Sequence, residues 1–136
     1  MQAWCGGGIV ISDVLSVQYA LDNFKTVKEV VQAHKERKFR LVAVTAPDLG
    51  HRATLGSHLA VEDSTGDSAI FEYVAGKLVI HHGPEYTVMT NDPPLDEMLQ
   101  RMTKYKGFGG TQPLPGESLE GEYRFARLAA YQKLLP

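Results

Sequence analysis

Cysteine is almost missing: Cys5 is the single one in 136 residues, which excludes an internal disulfide framework. No run approaches the roughly 20 consecutive apolar residues that a membrane-spanning helix requires. An excess of positive charge is missing too. With a formal net charge of -2, no basic field exists to hold a nucleic acid backbone or an anionic membrane surface, and neither is expected as a partner. The opening residues MQAWCGGG carry no basic stretch followed by a long apolar one, so they do not read as a secretory signal. A cytoplasmic location is expected, with a periplasmic or secreted one left open should a leader have been lost with the N-terminus. Internal repeats and low-complexity tracts are absent.

What is present is the composition of an ordinary soluble globular protein, 43% hydrophobic and 22% charged. At this length residues 1–136 are expected to form one domain with a core of two packed layers. The triple glycine at 6–8 and the closing Leu134-Leu135-Pro136 both look like cut ends rather than designed termini.

Apolar spacing divides the chain into three parts. Over residues 12–25, Val14, Leu15, Val17, Tyr19, Leu21 and Phe24 fit a helix that Ser12 or Asp13 would cap. Thr26 opens a second, with Val27, Val30 and Val31 on one face, Glu29 at the capping-box position and a basic last turn. Strand-length runs follow at residues 39–45, 58–63, 68–76, 77–82 and 86–91, and several are joined by turns short enough for hairpins. Beyond Pro93-Pro94, Leu95, Met98, Leu99 and Met102 recur at helical spacing, and a final helix is predicted from about Leu119 to Leu135. Helices, then strands, then helices is the α+β pattern: an antiparallel meander flanked by helices.

Two polar residues stand out. Arg124 lies on or beside a stripe formed by Leu128, Tyr131 and Leu135, so it must find an anion or a hydrogen-bond acceptor; an ion pair with Glu120, one helical turn earlier, would suffice. Asn91 ends a strand-like run and precedes Asp92-Pro93-Pro94. Its amide either caps a turn or helix, or is held at a rigid sheet end where it can donate to a developing oxyanion. His81 and His82, adjacent on a strand, project to opposite faces, while His34, His51 and His58 are scattered, so no metal spacing emerges. Glu62, Asp63, Asp67 and Glu72 flank a hairpin and read as its solvated rim. No cofactor is expected, because the glycine run at 6–8 lacks the lysine and hydroxyl ending of a phosphate loop.

The order HLAVEDSTGDSAIFEYVAGKLVIHHGPEYTVMTNDPP, then LPGES, then YRFARLAAYQKLLP resembles the choloylglycine hydrolase and penicillin V acylase family, N-terminal-nucleophile hydrolases of linear amides, from about Val17 to Pro136. The resemblance implies part of an αββα sandwich. It also implies a cysteine nucleophile whose own α-amine is the base, with a conjugated bile salt, penicillin V or another N-acyl amide as the small-molecule substrate. Asn91 matches the asparagine of the oxyanion hole and Arg124 the arginine of the active-site network. The family nucleophile stands at the start of the mature chain and is followed by strands. Cys5 is internal and followed by glycines, so the segment is expected to be inactive alone. Tyr123 stands where the family usually has Ser or Asp, and the loop between Tyr105 and Leu114 is short. A homo-oligomer is expected. The reading from another class is a non-catalytic module that keeps the fold fragment and self-associates through uncovered apolar surface.

Overall fold

The computed structural model describes residues 8–42 and 58–135, which group into two compact units, one reaching Thr87 and the other beginning at Val88.

The first unit starts with a strand that the periodicity did not announce, β1 (Ile9–Ser12). It pairs in parallel with β2 (Phe39–Val42), Ile9 against Phe39 and Ser12 against Val42. A run of Ile9, Val10 and Ile11 suits the pleated backbone, yet its partner lies about thirty residues away and no hairpin turn signals it. Because Ser12 belongs to this strand and Asp13–Leu15 form a 3-10 turn, α1 begins later than expected, at Ser16, and runs to Asn23. Neither Ser12 nor Asp13 caps it; its N-cap is Leu15, which makes no side-chain cap bond.

The next helix, α2 (Val27–Lys35), forms as its sequence predicts. Thr26 accepts from the Glu29 backbone while the Glu29 carboxylate accepts from the Thr26 backbone, and His34 and Lys35 stand in its last turn. Asp63 adds a long-range anchor by accepting from the Val27 N–H at 2.9 Å. The Thr65 hydroxyl, then the backbone N–H groups of Val27 and Thr65, hold the Asp63 carboxyl at about 2.

Three antiparallel strands follow, β3 (Leu59–Glu62), β4 (Ser68–Val74) and β5 (Lys77–His82), in the order β3-β4-β5. The turn between the last two places Ala75 at φ 49 and Gly76 at φ 77, the left-handed pair that a two-residue hairpin requires. Val27, Val30 and Val31 of α2 pack with Leu59, Ala69 and Phe71 of the sheet, and Phe24, Leu41, Val61, Leu78 and Ile80 surround that core. Burying side chains of this size stabilises by roughly 1.5–3 kcal/mol each.

The expected strand at 86–91 does not form, and no ladder includes those residues. Side chains satisfy the backbone there instead. The Ser68 hydroxyl lies between the carbonyl oxygens of Gly83 and Tyr86, at 2.7 and 3.1 Å, and the Tyr86 N–H turns back to the Gly83 carbonyl at 3.2 Å. Residues 43–45 of the predicted strand at 39–45, and the loop predicted over 46–56, lie outside the described residues.

The second unit contains α3 (Leu95–Met102) and α4 (Gly121–Gln132). Pro94 is the N-cap of α3, and Asp96 and Glu97 occupy its first turn, where the helix dipole favours negative charge. Leu95, Met98, Tyr105, Phe125 and Ala126 are buried, and α3 packs against α4. The α+β class therefore holds, with a parallel strand pair added to the antiparallel meander.

Candidate active site

Asn91 and Arg124 meet. An Nη2 hydrogen of Arg124 is donated to Oδ1 of Asn91 at 2.9 Å, across 33 residues of sequence. A guanidinium carries only donors, so the Asn91 amide must turn its oxygen toward it, which aims the NH₂ the other way. That NH₂ group has no partner among the described residues, and Asn91 is exposed. The cap reading of Asn91 does not hold, since the N-cap of α3 is Pro94 without a side-chain bond. Nor does Arg124 pair with Glu120, whose only bond to it is from the Arg124 backbone N–H to the Glu120 carbonyl, at 3.0 Å.

The segment bearing Asn91 is fastened to the start of α4. The Thr90 hydroxyl lies 2.9 Å from the Gly121 carbonyl oxygen and 3.4 Å from the Met98 sulfur. Arg127, one turn beyond Arg124, reaches the Gly116 carbonyl and, at 2.8 Å, the Ser118 carbonyl. Its planar fork thereby closes the loop that delivers the chain into α4. Between the two arginines, Phe125 and Ala126 are buried. The four residues thus alternate between holding the amide, filling the core and holding the loop. Glu122 accepts from Lys104 at 2.6 Å and from Arg101. Lys104, then Arg101, hold its carboxyl below the usual range, and Glu122 raises both cations in turn. Arg124 Nε is buried without a hydrogen-bond partner among the described residues, so this guanidinium keeps a spare donor. The stripe expected beside it is uncovered: Leu128 is 48% and Tyr131 58% exposed.

In the first unit the structure builds a cluster that the sequence reading missed. Glu72 is not on a solvated rim; it is 2% exposed. Its Oε1 lies 2.8 Å from His58 Nδ1 and its Oε2 3.2 Å from His81 Nε2. The His58 contact is a close approach off the hydrogen-bonding direction of the ring. The signal was the continuous burial of β4 from Ser68 through Glu72, for which the unbroken apolar run Ala69-Ile70-Phe71 was the clue: a strand covered on both faces buries its carboxylate too. His82 projects away from His81 and meets Asp67 at 3.0 Å, as adjacent strand positions require. His34 stacks on Phe71 at 4.2 Å, donates from Nδ1 to the Val30 carbonyl at 3.0 Å, and is pushed down in pKa by its burial. Among the described residues no group of three or more His, Cys, Asp and Glu is arranged to hold a metal ion. Cys5 and His51 lie outside the described residues.

Comparison with known proteins places this geometry in context. The family model described as linear amide C-N hydrolases, choloylglycine hydrolase family, matches residues 5–120. A penicillin V acylase of Pectobacterium atrosepticum is 45% identical over 116 residues, covering 85% of this chain and 30% of that protein. The solved penicillin V acylase of Agrobacterium tumefaciens superposes with a TM-score of 0.74 at 38% identity, over 98% of this chain and 38% of that one. A variant of conjugated bile acid hydrolase from Clostridium perfringens superposes with a TM-score of 0.73 at 23% identity, over 98% of this chain and 45% of that one, a likeness of fold. The chain spans about a third of the length of the acylases it matches.

Proposed function

The chain belongs to the choloylglycine hydrolase family of linear amide C-N hydrolases, and on that premise we propose that it supplies the oxyanion-stabilising side of an N-acyl amide hydrolase site. Penicillin V, a conjugated bile salt or a related N-acyl amide is the proposed substrate. A cysteine thiolate attacks the amide carbonyl carbon, forming a C–S bond and placing negative charge on the carbonyl oxygen. The amine leaves with a proton, and water then cleaves the thioester to release the acid and regenerate the thiol. In this reading the Asn91 NH₂ donates to the charged oxygen, and Arg124 fixes the amide so that it presents donors rather than its own oxygen. The observation that carries the reading is the 2.9 Å bond from Arg124 to Asn91 Oδ1.

The nucleophile in this proposal is not Cys5, whose amino group is tied up in a peptide bond to Trp4 and which Gly6-Gly7-Gly8 follow. The 136-residue polypeptide alone is therefore proposed to turn over little N-acyl amide. Thiol-dependent hydrolysis of penicillin V by that polypeptide, lost on Cys5→Ala, would refute this. Homo-oligomerisation is also proposed, supported by the exposed Leu128, Tyr131, Leu134 and Leu135; a strictly monomeric protein at high concentration in light scattering would count against it.

Catalytic roles are tested by placing residues 5–135 in the corresponding region of the Pectobacterium penicillin V acylase and measuring penicillin V hydrolysis. Asn91→Ala in that chimera is expected to lower kcat by about 10²–10³, the usual loss of one oxyanion donor. An active chimera whose kcat is unchanged by Asn91→Ala would sink the oxyanion assignment.

A further inference from the structure

We propose that Gly121 is a positioning residue for the Asn91 amide, acting together with the Thr90 hydroxyl. It sets how closely the Asn91 segment lies on α4 and so brings the amide within reach of Arg124.

Gly121 is the first residue of α4, three positions before Arg124. A Cβ built on it would stand 2.5 Å from the Asp92 carbonyl oxygen and 3.6 Å from the Asn91 carbonyl carbon and oxygen. The first of these is closer than carbon and oxygen approach without repulsion, and the atom it meets is backbone rather than the yielding end of a side chain. Helix propensity favours alanine over glycine in a helix, so local structure gives no reason for glycine here. Close approach of a second backbone does. The same peptide is used twice, because the Gly121 carbonyl also faces the Thr90 hydroxyl at 2.9 Å. One side of the contact is a missing side chain and the other a hydrogen bond, and between them Thr90, Asn91 and Asp92 are pressed onto the first turn of α4. Arg124 lies on the next turn and closes on Asn91 Oδ1. A shift of an ångström that lengthens the separation of Arg124 from Asn91 takes their 2.9 Å bond outside hydrogen-bonding range. The motif thus carries its own spacer: the glycine determines the distance at which the arginine and the amide meet.

The catalytic consequence rests on the reading of Asn91 as an oxyanion donor; the positioning itself does not. The experiment therefore reads geometry rather than turnover, by nuclear magnetic resonance of the side-chain amide of Asn91 in the 136-residue protein. Arg124→Leu supplies the reference position for an amide that has lost the guanidinium. Gly121→Ala and Thr90→Val are expected to move the Asn91 NH₂ resonances to that reference, while Thr90→Ser, which keeps the hydroxyl, leaves them at the parent position. Backbone resonances of α3, in the same unit, report whether each variant is folded. A folded Gly121→Ala protein with the Asn91 resonances unmoved overturns the proposal. Should Gly121→Ala not fold, Thr90→Val decides: unmoved Asn91 resonances in it overturn the proposal as well. If Asn91→Ala leaves hydrolysis by the chimera intact while Gly121→Ala still breaks the pair, the oxyanion reading falls and the positioning stands.

Discussion

The unit that ends at Thr87 is ordered by what it removes from water, whereas the unit that begins at Val88 is ordered around its site by what polar side chains reach. In the first, Val27, Val30, Val31, Leu59, Ala69 and Phe71 form a continuous buried cluster between helix and sheet. In the second, the segment bearing Asn91 joins no ladder; it is held by a hydroxyl, a guanidinium and a close backbone approach. Apolar packing is tolerant of direction and roughly proportional to area, so it suits a scaffold. Hydrogen bonds are directional and individually modest, so they suit the aiming of an amide. Glu72 complicates the contrast, since the apolar unit buries a carboxylate between His58 and His81.

If burial dominates the first unit, truncating its centre must give the largest loss. Phe71→Ala is expected to destabilise by about 3–5 kcal/mol, read from the shift in the denaturant midpoint. A loss smaller than that of any polar variant below would break the comparison. Next comes Glu72→Ala, expected to cost about 1–3 kcal/mol because it removes the buried acceptor that faces His81. Glu72→Gln should cost less, since the amide keeps an acceptor. Equal midpoints for the Glu72→Ala and parent proteins would show that the cluster contributes nothing. Arg127→Ala is expected to cost about 1 kcal/mol while accelerating amide hydrogen exchange in residues 116–120; unchanged exchange there would separate Arg127 from the loop.

The smallest effect separates His34 from Glu122 by pH. Burial lowers the His34 pKa from 6.5, so the unfolded chain takes up a proton before the folded one does. The stability this provides is complete above about 6.5 and declines as pH falls below it. Glu122, in the other unit, is depressed from 4.5 by Lys104 and Arg101. Its contribution is complete above about 4.5 and is lost only as pH falls further, through the folded value. His34→Leu should remove the decline between pH 6.5 and 5 and leave the acid limb below 4.5 in place. A parent protein whose stability is flat between pH 6.5 and 5 would contradict the His34 assignment.

These predictions also mark how far the sequence could be read. The Thr26 capping box, the Ala75-Gly76 turn and the helical recurrence of Leu95, Met98 and Met102 are local patterns, and each became the expected element. Asn91 and Arg124 stood out in the sequence as separate residues, and the structure brings them together. How they are held was not legible. The strand expected to carry Asn91 to a sheet end is a segment fastened by side chains, and Arg124, for which an ion pair with Glu120 would have sufficed, reaches the amide instead. An apolar run bounded by prolines looks the same whether its backbone groups find a neighbouring strand or a serine and a threonine. β1 escaped notice for a related reason, since a parallel partner about thirty residues away leaves no turn between them.

By itself, then, the sequence determined α2 with its capping box, the helical recurrence of α3 and the hairpins of β3, β4 and β5, because propensity, turn chemistry and periodicity act over a few neighbouring residues. Only the tertiary structure decided that β1 and β2 run parallel, that Glu72 is buried between two histidines, and that Asn91 turns its oxygen to Arg124 across 33 residues. Each of those depends on which distant groups burial brings together, and a contact between distant groups leaves no period in the chain.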